Sequence, residues 1–206
     1  MIRQLRKQTG IKKFGHAGTL DPAASGLMII GVEQGTKKLT EYIKLNKEYL
    51  AEIRLGEQRS TGDLDGEVIE AVDAVILDED EIEKSVTELV GTQTLPVSAY
   101  SAIKKDGKPM YKRAYEAAKL GELVKDVPFR NMQVHEAEFL CIAELDTPEG
   151  HRVVVKVRFF VGSGTYTRSL AEELGRRLGY PATLQSLRRT KVGSFDIKDA
   201  TRIEDL

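Results

Sequence analysis

Polar and apolar positions change their period several times along this chain, and each change marks an element. "KEYLAEIRLG" alternates, with Tyr49, Ala51, Ile53 and Leu55 on one side and Glu48, Glu52 and Arg54 on the other. That pattern predicts a half-buried strand with Tyr49 on its inward face. Helical spacing predicts helices over 33–45, through Leu39, Tyr42 and Ile43, and over 78–90, through Ile82, Val86, Leu89 and Val90, the latter acidic in its first turn and closed by Gly91. Residues 3–9 read as a helix stopped by Gly10. The apolar run Leu27-Met28-Ile29-Ile30 predicts a strand covered on both faces. "RNMQVHEAEFLCIAEL" and "HRVVVKVRFFVGSGTYTRSL" are strand-like, with Cys141 placed in the core. The second runs through a glycine turn into a helix with Arg168 in its first turn and Leu170, Leu174 and Leu178 on its inner face. Residues 60–66 form a turn, and the tail from Leu184 is a strand with a final turn. No repeat or linker interrupts this order, which predicts one domain over 1–206 with strands paired mainly to hairpin-like neighbours.

Composition narrows the class. Hydrophobic residues make up 41% and charged residues 31% of the 206 positions, the mixture of an ordinary globular protein. No apolar run approaches the roughly 20 residues that a spanning helix needs. The basic amino terminus lacks the apolar core of a secretory signal. The lone Cys141 leaves no internal disulfide, which fits a reducing, cytoplasmic setting, and no Cys/His cluster has zinc spacing.

The net charge of −1 argues weakly against a nucleic-acid partner, but the average conceals segregation. Asp63 to Glu88 is densely acidic, with Lys84 its only basic residue. Basic residues gather at Lys12-Lys13, at Lys104-Lys105 with Lys108, Lys112 and Arg113, at Arg176-Arg177, and at Arg188-Arg189 with Lys191. Such segregation can present a positive face to phosphates, or leave solvated cations without a partner.

Three stretches carry candidate chemistry. In "FGHAGTLDPAASGLMIIGV" Asp21 precedes Pro22, which pushes its backbone toward extended conformations, and Gly15, Gly18 and Gly26 allow sharp turns. A carboxylate held this way suits a nucleophile, a general base, a metal ligand, or simply a turn former. No second carboxylate lies nearby in sequence, which disfavours the metal and paired-acid schemes. "VGSGTYTRS" is a glycine turn feeding a helix amino terminus, where Arg168 can fork onto a carboxylate or phosphate. "YSAIKKDGKPMYKRAYEAAKLGE" interleaves Tyr111 and Tyr115 with lysines. It suits an RNA-contacting arm, although spacing alone favours a surface hairpin and helix whose rings cover the core. Asp63 and Asp65 read as turn formers, and His135 and His151 as surface or strand-edge groups.

Together, "GHAGTLDPAASGLMIIGV", "KEYLAEIRLG…STGDLDG", "YSAIKKDGKPMY…RAYEAAKLGE", "GSGTYTRSLAEELGRRLG" and "LQSLRRTKVGSF" resemble the bacterial TruB family of tRNA pseudouridine synthases, in the family's order and over nearly the whole chain. The resemblance implies an α+β fold, a pseudouridine-synthase-like mixed and mainly antiparallel sheet flanked by helices. It implies conversion of the T-loop uridine conventionally numbered 55 to pseudouridine, without metal or organic cofactor. The partner is the tRNA T-arm stem-loop, with no membrane and no obligate protein partner, and the chain acts as a monomer. Asp21 matches the catalytic aspartate, Tyr49 the tyrosine stacked on the flipped uracil, and Arg168 the arginine paired with the carboxylate. His16, Tyr166 and Leu187 match substrate-contacting positions, Asp63 matches a position near the site, and 100–121 match the arm that closes over the T-loop.

Two departures accompany the match. A strand with a Lys-Pro-x-Gly-x-Ser/Thr-Ser motif that normally comes first in the family is not seen, so a sheet with an unpaired edge is expected. The RNA-binding module that follows the catalytic domain in many relatives is not seen either, so weaker tRNA binding is expected. The alternative function is a catalytically impaired tRNA-binding or folding protein of the same fold. A small-molecule enzyme using the "GSGT" turn as a phosphate cradle would need a phosphate-binding lysine that the sequence does not offer.

Overall fold

The computed structural model describes residues 1–72, 75–124, 126–147 and 150–205. Helix α1 (Ile2–Thr9) ends at Gly10, whose φ of 71° is the left-handed conformation that glycine takes at a helix stop. Three short strands follow: β1 (Phe14–His16), β2 (Ala24–Gly26) and β3 (Ile30–Val32). A six-residue 3-10 segment, Glu33–Lys38, and helix α2 (Leu39–Ile43) replace the single helix expected over 33–45, and Ile43 is left exposed. Strand β4 (Lys47–Leu55) follows, then the hairpin β5 (Glu57–Arg59) and β6 (Val68–Ala71). Helix α3 (Glu79–Thr87) is capped by the Asp78 side chain, which accepts from the Asp80 N–H.

Strand β7 (Gly91–Pro96) leads into the arm, made of the two-residue strands β8 (Lys104–Lys105) and β9 (Lys108–Pro109) and helix α4 (Met110–Ala118). The long hairpin β10 (Phe129–Thr147) and β11 (Gly150–Val161), helix α5 (Thr167–Leu178), strand β12 (Ala182–Val192) and strand β13 (Phe195–Asp196) complete the order.

The central sheet runs β13-β12-β4-β11-β10-β7, antiparallel throughout, with β2 joined in parallel to β12. Helices α3 and α5 lie against it, so the fold is the expected α+β arrangement. The alternation read in β4 holds on the inner side: Tyr49, Ala51, Ile53 and Leu55 share a core with Ile82, Val86, Val157, Phe159, Leu170 and Leu174. Each such aliphatic side chain contributes roughly 1.5–3 kcal/mol by leaving water. The opposite face is wet, where Glu48, Glu52, Lys156, Arg158 and Lys191 form cross-strand ion pairs.

Three expectations are corrected. The run Leu27–Ile30 is not a doubly covered strand, since only Ile30 enters one. The Leu27 N–H donates to the Arg189 carbonyl and the Ile29 carbonyl accepts from Ala17, so the segment crosses between two partners. Arg54, read on the side opposite Tyr49, is buried there, because Glu57 and Gln185 close over that end of β4 and meet its guanidinium. Cys141, read as a core residue, is exposed. A register shift between Phe139 and Cys141 breaks the strict alternation of β10, so Leu140 and Cys141 both face solvent while Phe139 and Ile142 meet the core.

Candidate active site

The loop that carries Asp21 joins β1 to β2 and turns tightly, with the Ala24 N–H donating to the Asp21 carbonyl at 2.9 Å. Gly18 gives the loop a φ of 90°, accessible to glycine at little cost. The loop is fixed to the sheet through β2, whose Ala24, Ser25 and Gly26 register against Leu187, Arg188 and Arg189 of β12. A Cβ on Gly26 would lie 2.2 Å from the Arg189 carbonyl oxygen, so glycine alone permits this approach. Asp21 is thereby held rigidly with its side chain 39% exposed, at the rim of a cavity of about 640 Å³.

Arg168 comes from the other side, at the second residue of α5. Its side chain is 6% exposed, and Nε lies 2.9 Å from Asp21 Oδ2, an ion pair whose N–H is not aimed along the contact. Nη1 donates to the Thr61 carbonyl at 2.8 Å and the Ser98 hydroxyl at 3.1 Å, and Nη2 reaches the Tyr100 carbonyl at 3.5 Å. The same Nη1 stands 3.5 Å from Asp63 Oδ2, a nearly buried carboxylate that also accepts from Thr61 Oγ1 and the Asp65 N–H. The guanidinium therefore sits between two carboxylates, one closed and one open to the cavity. Asp63 shapes its turn as read from sequence, and it also belongs to this charge arrangement.

Tyr49 and Tyr166 both lie near enough to that carboxylate to feel its charge. Burial pushes the Tyr49 phenol above its ordinary range; the Arg189 charge and hydrogen bond oppose that, and the Asp21 charge adds to it. Burial also raises the Tyr166 phenol, with Arg130 and Arg168 opposing and Asp21 reinforcing. Both rings thus stay neutral and feel Asp21. Leu187 is buried in β12 opposite Ala51 and Ala24, beneath the Asp21 loop. His16 ends β1, with Nδ1 buried and without a hydrogen-bond partner. Among the described residues, no group of three or more His, Cys, Asp or Glu is placed to hold a metal ion.

The cavity beside Asp21 is closed by the arm. Tyr111 and Tyr115 line it together with Tyr100, Asp63 and Arg168. Tyr115 meets Tyr100 edge-on at 5.5 Å and Tyr111 at 6.5 Å, and the two α4 tyrosines are 38% and 60% exposed. The arm is a surface hairpin and helix as spacing suggested, but its two tyrosines do not cover the core.

The basic clusters divide. Arg176 and Arg177 are tied to Glu173, and Arg177 also meets Glu88, so they brace α5 and its contact with α3. Arg188 is exposed while Arg189 is 1% exposed. Reading "LRRTK" as one positive patch missed this. The alternation that turns Leu187 inward turns Arg189 inward as well, and that signal was present in the sequence.

Residues 6–167 match the model described as TruB family pseudouridylate synthase (N terminal domain), and residues 168–206 match that of the tRNA pseudouridylate synthase B C-terminal domain. A Corynebacterium efficiens protein named tRNA pseudouridine synthase B is 41% identical over 206 residues, covering all of this chain, which spans 66% of that relative's length. A Thermobifida fusca protein of the same name is 36% identical, covering all of this chain and 69% of its own. Among solved structures, a Cbf5-Nop10-Gar1 complex gives a TM-score of 0.65 at 25% identity, covering 95% of this chain and 45% of that one. An H/ACA RNP bound to a substrate RNA containing 2'-deoxyuridine gives 0.64 at 24%, covering 95% and 43%, a likeness of fold. With the family models spanning the loop that holds Asp21 and the helix that holds Arg168, the chain belongs to the TruB family of pseudouridylate synthases.

Proposed function

We propose that this chain isomerises a T-loop uridine of tRNA, the one conventionally numbered 55, to pseudouridine, with Asp21 as nucleophile. The observation that carries the reading is a half-open carboxylate at a cavity rim, 2.9 Å from a buried arginine and within the field of two neutral tyrosines. A uridine stacked inside a folded loop cannot reach such a group, so it must be flipped out and its stacking replaced, here by the Tyr49 ring. As the N-glycosidic bond opens, electron density moves onto the uracil and positive charge develops at the ribose carbon. Asp21 traps that carbon as an ester, and the returning ring carbon later displaces the carboxylate, which leaves as it entered. The freed ring turns, bonds to the ribose through carbon, and exchanges a proton on that carbon for one on nitrogen, so the product is an isomer and no redox partner is consumed. Arg168, 2.9 Å away, aims Asp21. Asp63, on the far side of the guanidinium, holds Arg168 in place.

His16, Tyr166 and Leu187 contact the nucleotide in this reading. Residues 100–121 close over the T-loop, with Tyr111 and Tyr115 offering ring faces to bases and the adjacent lysines meeting phosphate. The chain acts as a monomer in the cytoplasm. The test is a T-arm hairpin incubated with the protein and mapped chemically for pseudouridine. Asp21→Asn should abolish conversion and leave hairpin binding within about threefold, since it removes a charge used mainly in the transition state. Conversion by that variant refutes the assignment, and a wild-type chain that binds the hairpin without converting it favours an RNA-binding role instead.

A further inference from the structure

Ser98 stands at the root of the arm, and the chemistry above gives it no part. It follows Val97, which is buried in the core with its N–H on the Pro128 carbonyl at 2.9 Å. The root is therefore fixed on its core side. A hydroxyl has one proton and two lone pairs, and Ser98 uses all three. It donates to the Thr61 carbonyl at 3.2 Å, and it accepts from Arg168 Nη1 at 3.1 Å and from the Tyr100 N–H at 3.2 Å. Three segments far apart in sequence thus meet on one oxygen: the turn after β5, helix α5 and the arm.

Tyr100 is tied to the same guanidinium a second time, its carbonyl accepting from Nη2 at 3.5 Å. Its ring meets Tyr115 of α4 edge-on at 5.5 Å, in the cavity beside Asp21. Residue 100 therefore holds the arm's aromatic cluster at one end and Arg168 at the other. Under this join the packing is open, where Ser98, Tyr100, Ala114 and Leu123 border a second cavity of about 210 Å³. An arm that lifts away from Asp21 draws Tyr100 with it. The guanidinium then loses its Nη2 partner, and the hydroxyl that holds Nη1 loses one of the three partners that orient it.

We propose that Ser98 is a positioning residue that couples the arm to Arg168, so that the guanidinium is aimed at Asp21 when the arm lies over the cavity and slackens when it lifts. The inference rests on the isomerase reading, but one of its tests does not. Coupling is reciprocal, so loosening the arginine must loosen the arm. Amide exchange of Tyr100 is followed by NMR in wild type and in Arg168→Met, which keeps Ser98 but can hold neither it nor the Tyr100 carbonyl. Exchange at Tyr100 should quicken about tenfold, while Val97, whose N–H is held by the Pro128 carbonyl, keeps its rate. An unchanged Tyr100 rate, or an equal quickening at Val97, overturns the proposal whether or not the chain is an enzyme. If Arg168→Met lacks a cooperative unfolding transition, Arg168→Lys carries the measurement.

The kinetic test is a double-mutant cycle on single-turnover conversion of saturating T-arm hairpin. Ser98→Ala should slow conversion about tenfold, the worth of a hydrogen bond from a charged donor, with hairpin affinity held within about threefold. Placed on Arg168→Lys, the same change should cost no more than about threefold further, because the fork that Ser98 holds is already gone. Fully multiplying losses, or a loss carried in affinity, make Ser98 a structural pin of the arm and overturn the proposal. A wild-type chain inert on the hairpin refutes the isomerase reading and leaves the exchange rates to decide the inference.

Discussion

Replacing Arg168 by lysine keeps the charge and removes the fork, and the structure says what that costs. The guanidinium reaches Asp21 through Nε at 2.9 Å, Thr61 and Ser98 through Nη1 at 2.8 and 3.1 Å, and Tyr100 through Nη2 at 3.5 Å. An ammonium group is a compact point at the end of a shorter chain. It can stay with Asp21 or drop back to the Thr61 and Ser98 oxygens, but it cannot span both. Either way two contacts of a charged donor are lost, the Thr61 and Ser98 bonds or the Asp21 ion pair and the Tyr100 bond, worth about 1.5 kcal/mol each, or about 3 kcal/mol together. If the ammonium stays with the inner oxygens, Asp21 loses its aim and that sum appears in the transition state, slowing conversion about 150-fold. If it stays with Asp21, the inner oxygens are left bare and the sum appears as lost stability. Single-turnover conversion of the T-arm hairpin, paired with urea unfolding of the same protein, separates the two. A variant that converts within threefold of wild type with an unchanged unfolding midpoint refutes the reasoning, because then the fork does nothing a point charge cannot do.

Gly26→Ala places a Cβ 2.2 Å from the Arg189 carbonyl oxygen at a φ of 112°, so it should cost at least about 2 kcal/mol. Thermal unfolding should fall by roughly 4–8 °C, and an unchanged midpoint would show that β2 need not lie so close to β12. Glu172, one turn beyond Arg168 on α5, has its carboxyl pushed up by burial, with Gln58 and Arg168 opposing. Its native-state pKa therefore lies above the unfolded value of about 4.5, and its contribution is full below that value and is lost as pH rises through the native one. Glu172→Gln should unfold at higher urea than wild type at pH 8, with the advantage shrinking as the pH drops toward 4; a lower midpoint at pH 8 contradicts this. Tyr111→Ala with Tyr115→Ala should weaken hairpin binding about tenfold, the loss of roughly one stacked base, with thermal unfolding nearly unchanged. Equal binding would remove the arm from the RNA contact.

Much of this was legible in the sequence where one physical rule acted alone. Period-2 alternation gave the inner face of β4, and the helical spacing of Leu170, Leu174 and Leu178 gave α5 and the place of Arg168. The Asp21–Arg168 pair itself came from the family resemblance, since no local pattern relates residues 147 positions apart. What stayed hidden depends on strands that are not neighbours in the chain. Arg54 is covered by residues from β5 and β12, Cys141 is turned outward by a bulge, and Leu27–Ile30 is diverted by bonds to Ala17 and Arg189. Asp63 looked like a turn former because it is one; its facing of Arg168 exists only once the sheet is built.

The parallel join of β2 to β12 has a consequence for the order of events during synthesis. Asp21 leaves the ribosome long before the strand that seats it, so a nascent chain carries an unfinished loop until the codons of β12, through Val192, have been read. The seat of Asp21 is therefore assembled late, by a segment more than 160 residues downstream of the carboxylate it holds.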